Sequence, residues 1–131
     1  MSTLIVSNIT DGTDTVGTSY VVNGSAKAWA SFHHPSGVPT LSSGSLNVSS
    51  LSDNGTGEAG VNFSSSFNSV QDYACVTDGW DYATRSGAMG TTSRKPAANQ
   101  AILYHYENGS GVDSSSGVNF PFMIIAVGDL A

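Results

Sequence analysis

Two adjacent histidines, His33 and His34, are of the residue type that most often binds a metal ion. Neighbouring residues on a strand point to opposite faces, so the pair cannot readily chelate one ion, and a solvated turn before Pro35 is expected. The acidic stretches "TDGTDTVG" and "SDNGTGE" contain the residue types of calcium loops. They lack the D-x-[DN]-x-[DN]-G spacing and read as turns. Asp78 and Asp81 flank Trp80 in "TDGWDY", close enough in sequence to suggest a general acid–base pair. Nothing there anchors them to an apolar cleft that would raise a carboxyl pKa. Serines, histidines and acids are plentiful enough to write a Ser/His/Asp triple on paper, but no G-x-S-x-G elbow supports one. The expectation is no catalytic residue, no metal, no cofactor and no enzymatic activity.

Recognition has a better candidate. Trp80, Asp81, Tyr82 and Arg85 cluster in residues 78–100, which read as a long loop holding most of the basic residues. Trp, Tyr and Arg are over-represented at interaction hot spots, and loops on a rigid β scaffold commonly carry binding. These four residues are the expected receptor or partner loop.

The elements that position such residues are strands. No stretch sustains an apolar period of 3.6, and Gly and Ser interrupt every candidate helix. Alternation with a period of two recurs instead. "TLIVSNI" and "SYVVNG" are short extended pieces around a turn. "SAKAWASF" places Ala26, Ala28, Ala30 and Phe32 on one face, with Lys27, Trp29 and Ser31 on the other. In "LNVSSLSDNGTGEAGVNF", Leu51 falls out of phase with Leu46 and Val48, so a β-bulge at Ser49 and Ser50 is expected before a hairpin turn at "DNGTG". "DYACVT" and "AILYHYE" follow as strands, and His105 on the second reads as a surface or interface histidine. "VNFPFMIIAVG" is the last and most apolar strand, covered on both faces by its own domain or by a neighbouring chain, with Pro121 at its start or edge. The expected fold is all-β: a small antiparallel β-sandwich, jelly-roll-like, of about seven or eight strands. Residues 1–25 would form an extended N-terminal arm, and 26–131 the sandwich head.

Composition narrows the partners. The chain has 131 residues, 39% hydrophobic and only 11% charged, with a formal net charge of −6. That length supports one domain with a real core, and the low charge argues against disorder. Four cations against ten carboxylates exclude a nucleic-acid interface, which needs clustered Lys and Arg. An acidic surface also avoids anionic membranes, and no apolar run approaches the roughly 20 residues of a spanning helix. "MSTLIVSNITDG" does not read as a signal peptide, since it lacks a basic start. Cys75 stands alone in an apolar run and reads as buried packing.

The segments "NGSAKAWASF", "LNVSSLSDNGTGEAGVNFSSSF" and "DYACV" together resemble a pattern in tail-fibre-like virion proteins of tailed phages, especially those of marine bacteria. The shared signature is a G-x-AKAW-x-xF stretch followed by an NVSS-DNGTG-VNF hairpin and a Y-x-V strand. Gly24, Ala26, Lys27, Ala28, Trp29 and Phe32 match its first part, and Asn47 to Ser50, Asp53 to Gly57 and Val61 to Phe63 its second. The match spans about residues 24–76. Ala59 and Gly60 stand where bulkier residues are expected, so this hairpin is expected to pack against something closer.

The resemblance implies a non-enzymatic structural component of the virion, a homotrimer on the tail fibre or capsid surface. Its partners would be copies of itself, other virion proteins of the tail or the major capsid protein, and a host surface glycan or receptor. A core of Ala, Gly and Ser buries little area per residue, which independently favours self-association. Ala28, Trp29, Phe120, Phe122 and Ile124 are the expected self-association residues. Two rival readings follow: a capsid decoration (cement) protein of the same fold, and a free-standing glycan-binding module acting through Trp80 and Tyr82.

Overall fold

The computed structural model describes residues 5–33, 38–79, 89–107, 110–111 and 121–131. Its strands are β1 (Asn8–Thr10), β2 (Thr15–Gly17), β3 (Ala26–His33), β4 (Thr40–Leu46), β5 (Val48–Gly55) and β6 (Glu58–Phe63). They continue with β7 (Tyr73–Gly79), β8 (Met89–Ala97), β9 (Gln100–Glu107), β10 (Ser110–Gly111) and β11 (Pro121–Gly128). Among the described residues a single short helix, α1 (Thr18–Gly24), precedes β3. The fold is the expected all-β antiparallel sandwich.

One sheet has the order β4-β3-β11-β7. The other runs β5-β6-β9-β8, with β10 paired to the end of β9. Alternation puts one side of each strand between the sheets. Ala28, Ala30 and Phe32 on β3 and Phe122, Ile124 and Ala126 on β11 meet Ala59, Val61 and Phe63 on β6 and Ala101 and Leu103 on β9. Five of these core positions are alanines. Their short side chains let the layers approach closely, while the aromatics fill the ends. At one end Phe67 stacks on Tyr73 at 4.4 Å between ring centroids, and Phe63 meets both rings edge-on. The Tyr73 hydroxyl donates to the carbonyls of Ala97 and Gln100 at 2.9 and 2.7 Å, clamping the turn between β8 and β9. Burial pushes this phenol up to about 12, so it stays protonated and able to donate.

The passage from one sheet to the other after β4 takes a single residue. Asn47 adopts φ 54°, a conformation Asn tolerates better than most non-glycine residues. Its side-chain oxygen accepts from the Ser65 N–H at 2.6 Å and its amide donates to the Ser65 carbonyl at 3.0 Å. The expected bulge follows: Val48 pairs with Phe63 and Ser50 with Asn62, leaving Ser49 as the extra residue. The "DNGTG" reversal between β5 and β6 is also as expected, with Gly55 at φ 124° and Gly57 at φ 75°.

Three expectations need correction. Residues 18–24 are helical and not extended. Val21 and Val22 favour strands, but no neighbouring strand is offered there, and a helical turn satisfies backbone groups locally. Residues 78–100 are not a long loop: Asp78 and Gly79 end β7, and Met89–Ala97 is a nine-residue edge strand. Its pattern was hidden because Thr91 and Ser93 pair opposite His105 and Leu103, leaving no apolar alternation on β8 itself. Pro96 falls at the register shift between Arg94 and Ala97, where an edge strand tolerates a missing N–H. His105, finally, is 3% exposed and meets the Phe122 ring at 5.0 Å. It shares parity with the buried Ala101 and Leu103, so the pleat carries it inward.

Candidate interaction surface

The polar groups singled out by sequence are mostly engaged in structure. The "TDGTDTVG" stretch forms the β1–β2 reversal, where the Asp11 carboxylate accepts from the N–H groups of Thr13 and Asp14 at 3.0 and 2.9 Å. The Asp14 and Thr13 amides hold that carboxyl below its ordinary range. Asp53 accepts from the Gly55 N–H at 2.9 Å in the second acidic turn. His33 lies on β3 with Nδ1 3.1 Å from the Ser42 hydroxyl, whereas His34 lies outside the described residues. Among the described residues, no group of three His, Cys, Asp or Glu is placed to hold a metal ion. Two of the cations also have structural partners. Arg94 pairs with Glu58 at 2.6 Å, and Lys95 donates to the Tyr73 carbonyl and sits 4.8 Å from the centre of its ring. Trp80, Asp81, Tyr82 and Arg85, the expected recognition loop, lie outside the described residues.

Cys75 is half-buried on β7. Burial pushes its thiol up to about 11 against an opposing pull from Lys95. Only the thiolate reacts, and a rise of about two units cuts its population at pH 8 by about 100-fold. Alkylation by iodoacetamide at pH 8 is therefore expected to run about 100-fold slower in the folded chain than in denaturant. Equal rates, followed by mass spectrometry, would place Cys75 on an open surface.

The outer faces of the two sheets differ in chemistry. On the β5-β6-β9-β8 sheet, a polar ladder runs across three strands: Asn62 donates to Ser50 at 3.1 Å, and Gln100 donates to Asn62 at 2.8 Å. Beside it stands the Glu58–Arg94 pair. What approaches Gly60 is this same layer. A Cβ there would lie 2.3 Å from the Ser52 hydroxyl and 3.1 Å from the Gln100 amide. The expected close approach at this hairpin thus comes from its own sheet.

The β4-β3-β11-β7 sheet turns an apolar face outward. Leu46 pairs with Trp29, Trp29 with Ile125, and Ile125 with Val76, so one row of large apolar side chains crosses all four strands. Leu46 is 46% exposed, Ile125 37% and Val76 69%, and Met123 on the adjacent row is 43% exposed. Gly44 gives Trp29 room to lie flat, since a Cβ there would come within 3.2 Å of the indole. Lys27, His33 and Asp78 border the row, giving an apolar centre with a polar rim. Isolated exposed apolar residues are ordinary, whereas a contiguous row makes this face the candidate contact surface.

Of the five residues expected to mediate self-association, the structure places Ala28, Phe122 and Ile124 inside the sandwich, at 1%, 3% and 1% exposure. They are spent within the chain. Trp29 stands on the open face, and Phe120 lies outside the described residues. Sequence reasoning missed Leu46, Val76, Met123 and Ile125. Their common signal is parity with Trp29, which becomes visible only once strand neighbours and register are known. Comparison of the chain with known protein families, with curated proteins and with solved structures returns no match.

Proposed function

We propose that this chain is a non-enzymatic structural protein of a tailed-phage virion, tail-fibre-like, acting as a surface-exposed homotrimer. The observation that carries the reading is the outward apolar row centred on Trp29. Trp29 belongs to the AKAW stretch through which the sequence resembles tail-fibre-like proteins, and the DNGTG element of that resemblance builds the β5–β6 turn. A face of this kind supports a building block that works by joining other subunits. The Asp11 and Asp53 carboxylates and the Ser50–Asn62–Gln100 ladder support the same reading, because they are engaged within their own turns and sheet. Trp80 and Tyr82 supply the host-receptor contact in this reading.

Immunogold labelling of particles of the phage encoding the chain tests the proposal. Gold at the tail is expected, and added protein should compete with the phage for adsorption to host cells, with Trp80→Ala losing that competition. Gold distributed over the head would identify a capsid decoration protein instead. Absence of the chain from purified particles would overturn both virion readings.

A further inference from the structure

The apolar face needs an occupant, and its size indicates how much that occupant must bring. Neighbouring strands lie about 4.8 Å apart, so a four-strand row with its side chains spans about 20 Å. With Met123 on the adjacent row, the patch covers on the order of 300–400 Å². A stable specific contact buries about 800 Å² on each partner. The row alone therefore falls short, and its occupant must bring apolar surface that reaches beyond it.

Among the described residues, thirteen large hydrophobic side chains are exposed. Four of them, Leu46, Val76, Met123 and Ile125, lie on the face just described. Seven lie in the segment from Ile5 to Val22. That segment folds locally: β1 pairs with β2 in a two-stranded sheet of its own, and α1 then leads through Ser25 into β3. The helix touches β11 yet leaves Tyr20 76% and Val22 55% exposed. The segment is thus not folded over its own chain's apolar face, although it emerges from the strand that carries Trp29.

We propose that the N-terminal hairpin and helix of one copy dock on the outer face of the β4-β3-β11-β7 sheet of the next. The two surfaces are different, so the contact is heterologous: each copy gives its N-terminal segment and receives another's. Such contacts form rings when the rotation closes. The inference rests on the self-association in the proposed function and not on where in a virion the chain sits.

Complementation between two variants of the full chain tests it. Val76→Glu blocks the face and leaves the N-terminal segment intact, while Val22→Glu does the reverse. Both positions are exposed, so circular dichroism and melting should match the unaltered chain; Met123→Lys serves as a second face variant should Val76→Glu fail that control. In sedimentation at micromolar concentration, the unaltered chain is expected as a closed multimer and each variant as a single subunit. An equimolar mixture of the two variants is expected to recover a one-to-one heterodimer, since one intact segment and one intact face are present. A monomeric unaltered chain, a folded variant that stays multimeric, or a mixture that stays monomeric would each overturn the inference. A chain that passes these tests but is absent from particles defeats only the virion reading. A chain present in particles whose variants stay multimeric defeats only the docking.

Discussion

Phe32→Ala is expected to lower the unfolding free energy by about 4 kcal/mol. Phe32 is fully buried near the far end of β3, inside the core, with its ring 5.7 Å from that of Phe122. Removing it deletes the transfer free energy of a phenyl ring and leaves a cavity between two sheets whose strands are fixed by hydrogen bonding, so collapse is limited. The alanines at 28, 30 and 126 cannot extend to fill the space. A domain of this size has about 5–15 kcal/mol in all, so the loss should bring the chain near its unfolding threshold at physiological temperature. Ser31→Ala is the control. Ser31 points to the outer face beside Met123, and its replacement should shift stability by less than about 0.5 kcal/mol. Urea titration of both variants reads the difference as a change in midpoint at constant slope. Equal midpoints would mean that β3 does not face the core through Phe32.

Much of this arrangement was legible in the sequence because the pleat has a strict period. The division of β3 into two faces, the bulge after Val48 and the reversal at "DNGTG" each follow from a local pattern, although which face of β3 turns inward does not. His105 shows where local reading stops. Its parity with Leu103 was visible, but a polar residue type argued for the surface, and only its position opposite Phe122 shows why the core accepts it. β8 was illegible for the converse reason: its apolar partners sit on β9, so its own residues look like a loop. The outward apolar row needed still more. Leu46, Trp29, Ile125 and Val76 come from four segments spread over 97 positions of sequence, and nothing but the strand order β4-β3-β11-β7 joins them into one row.

Gly128→Ala is expected to cost about 3 kcal/mol or more, although the residue lies at the very end of β11. Two effects act together. Gly128 has φ +155°, a conformation that L side chains rarely adopt. An added Cβ would also stand 2.1 Å from the Asp72 carbonyl oxygen and 2.6 Å from the Tyr73 Cα. Those are backbone atoms of the neighbouring segment, so no rotamer change relieves the clash and the strands must separate. The same carbonyl accepts the Asp129 N–H at 3.1 Å, and the chain then bonds back from Asn68 to Asp129 and from Ala131 to Ser66. Separation there loosens the closure that holds Phe67 against Tyr73. Gly12→Ala distinguishes strain from collision. Gly12 has φ +101° but nothing within 4 Å of the new methyl group, so it should cost only about 1 kcal/mol. Thermal melts of the two variants should therefore differ by several degrees, with Gly128→Ala the lower. Equal melting temperatures would show that the C-terminal strand does not pass this close to Asp72 and Tyr73.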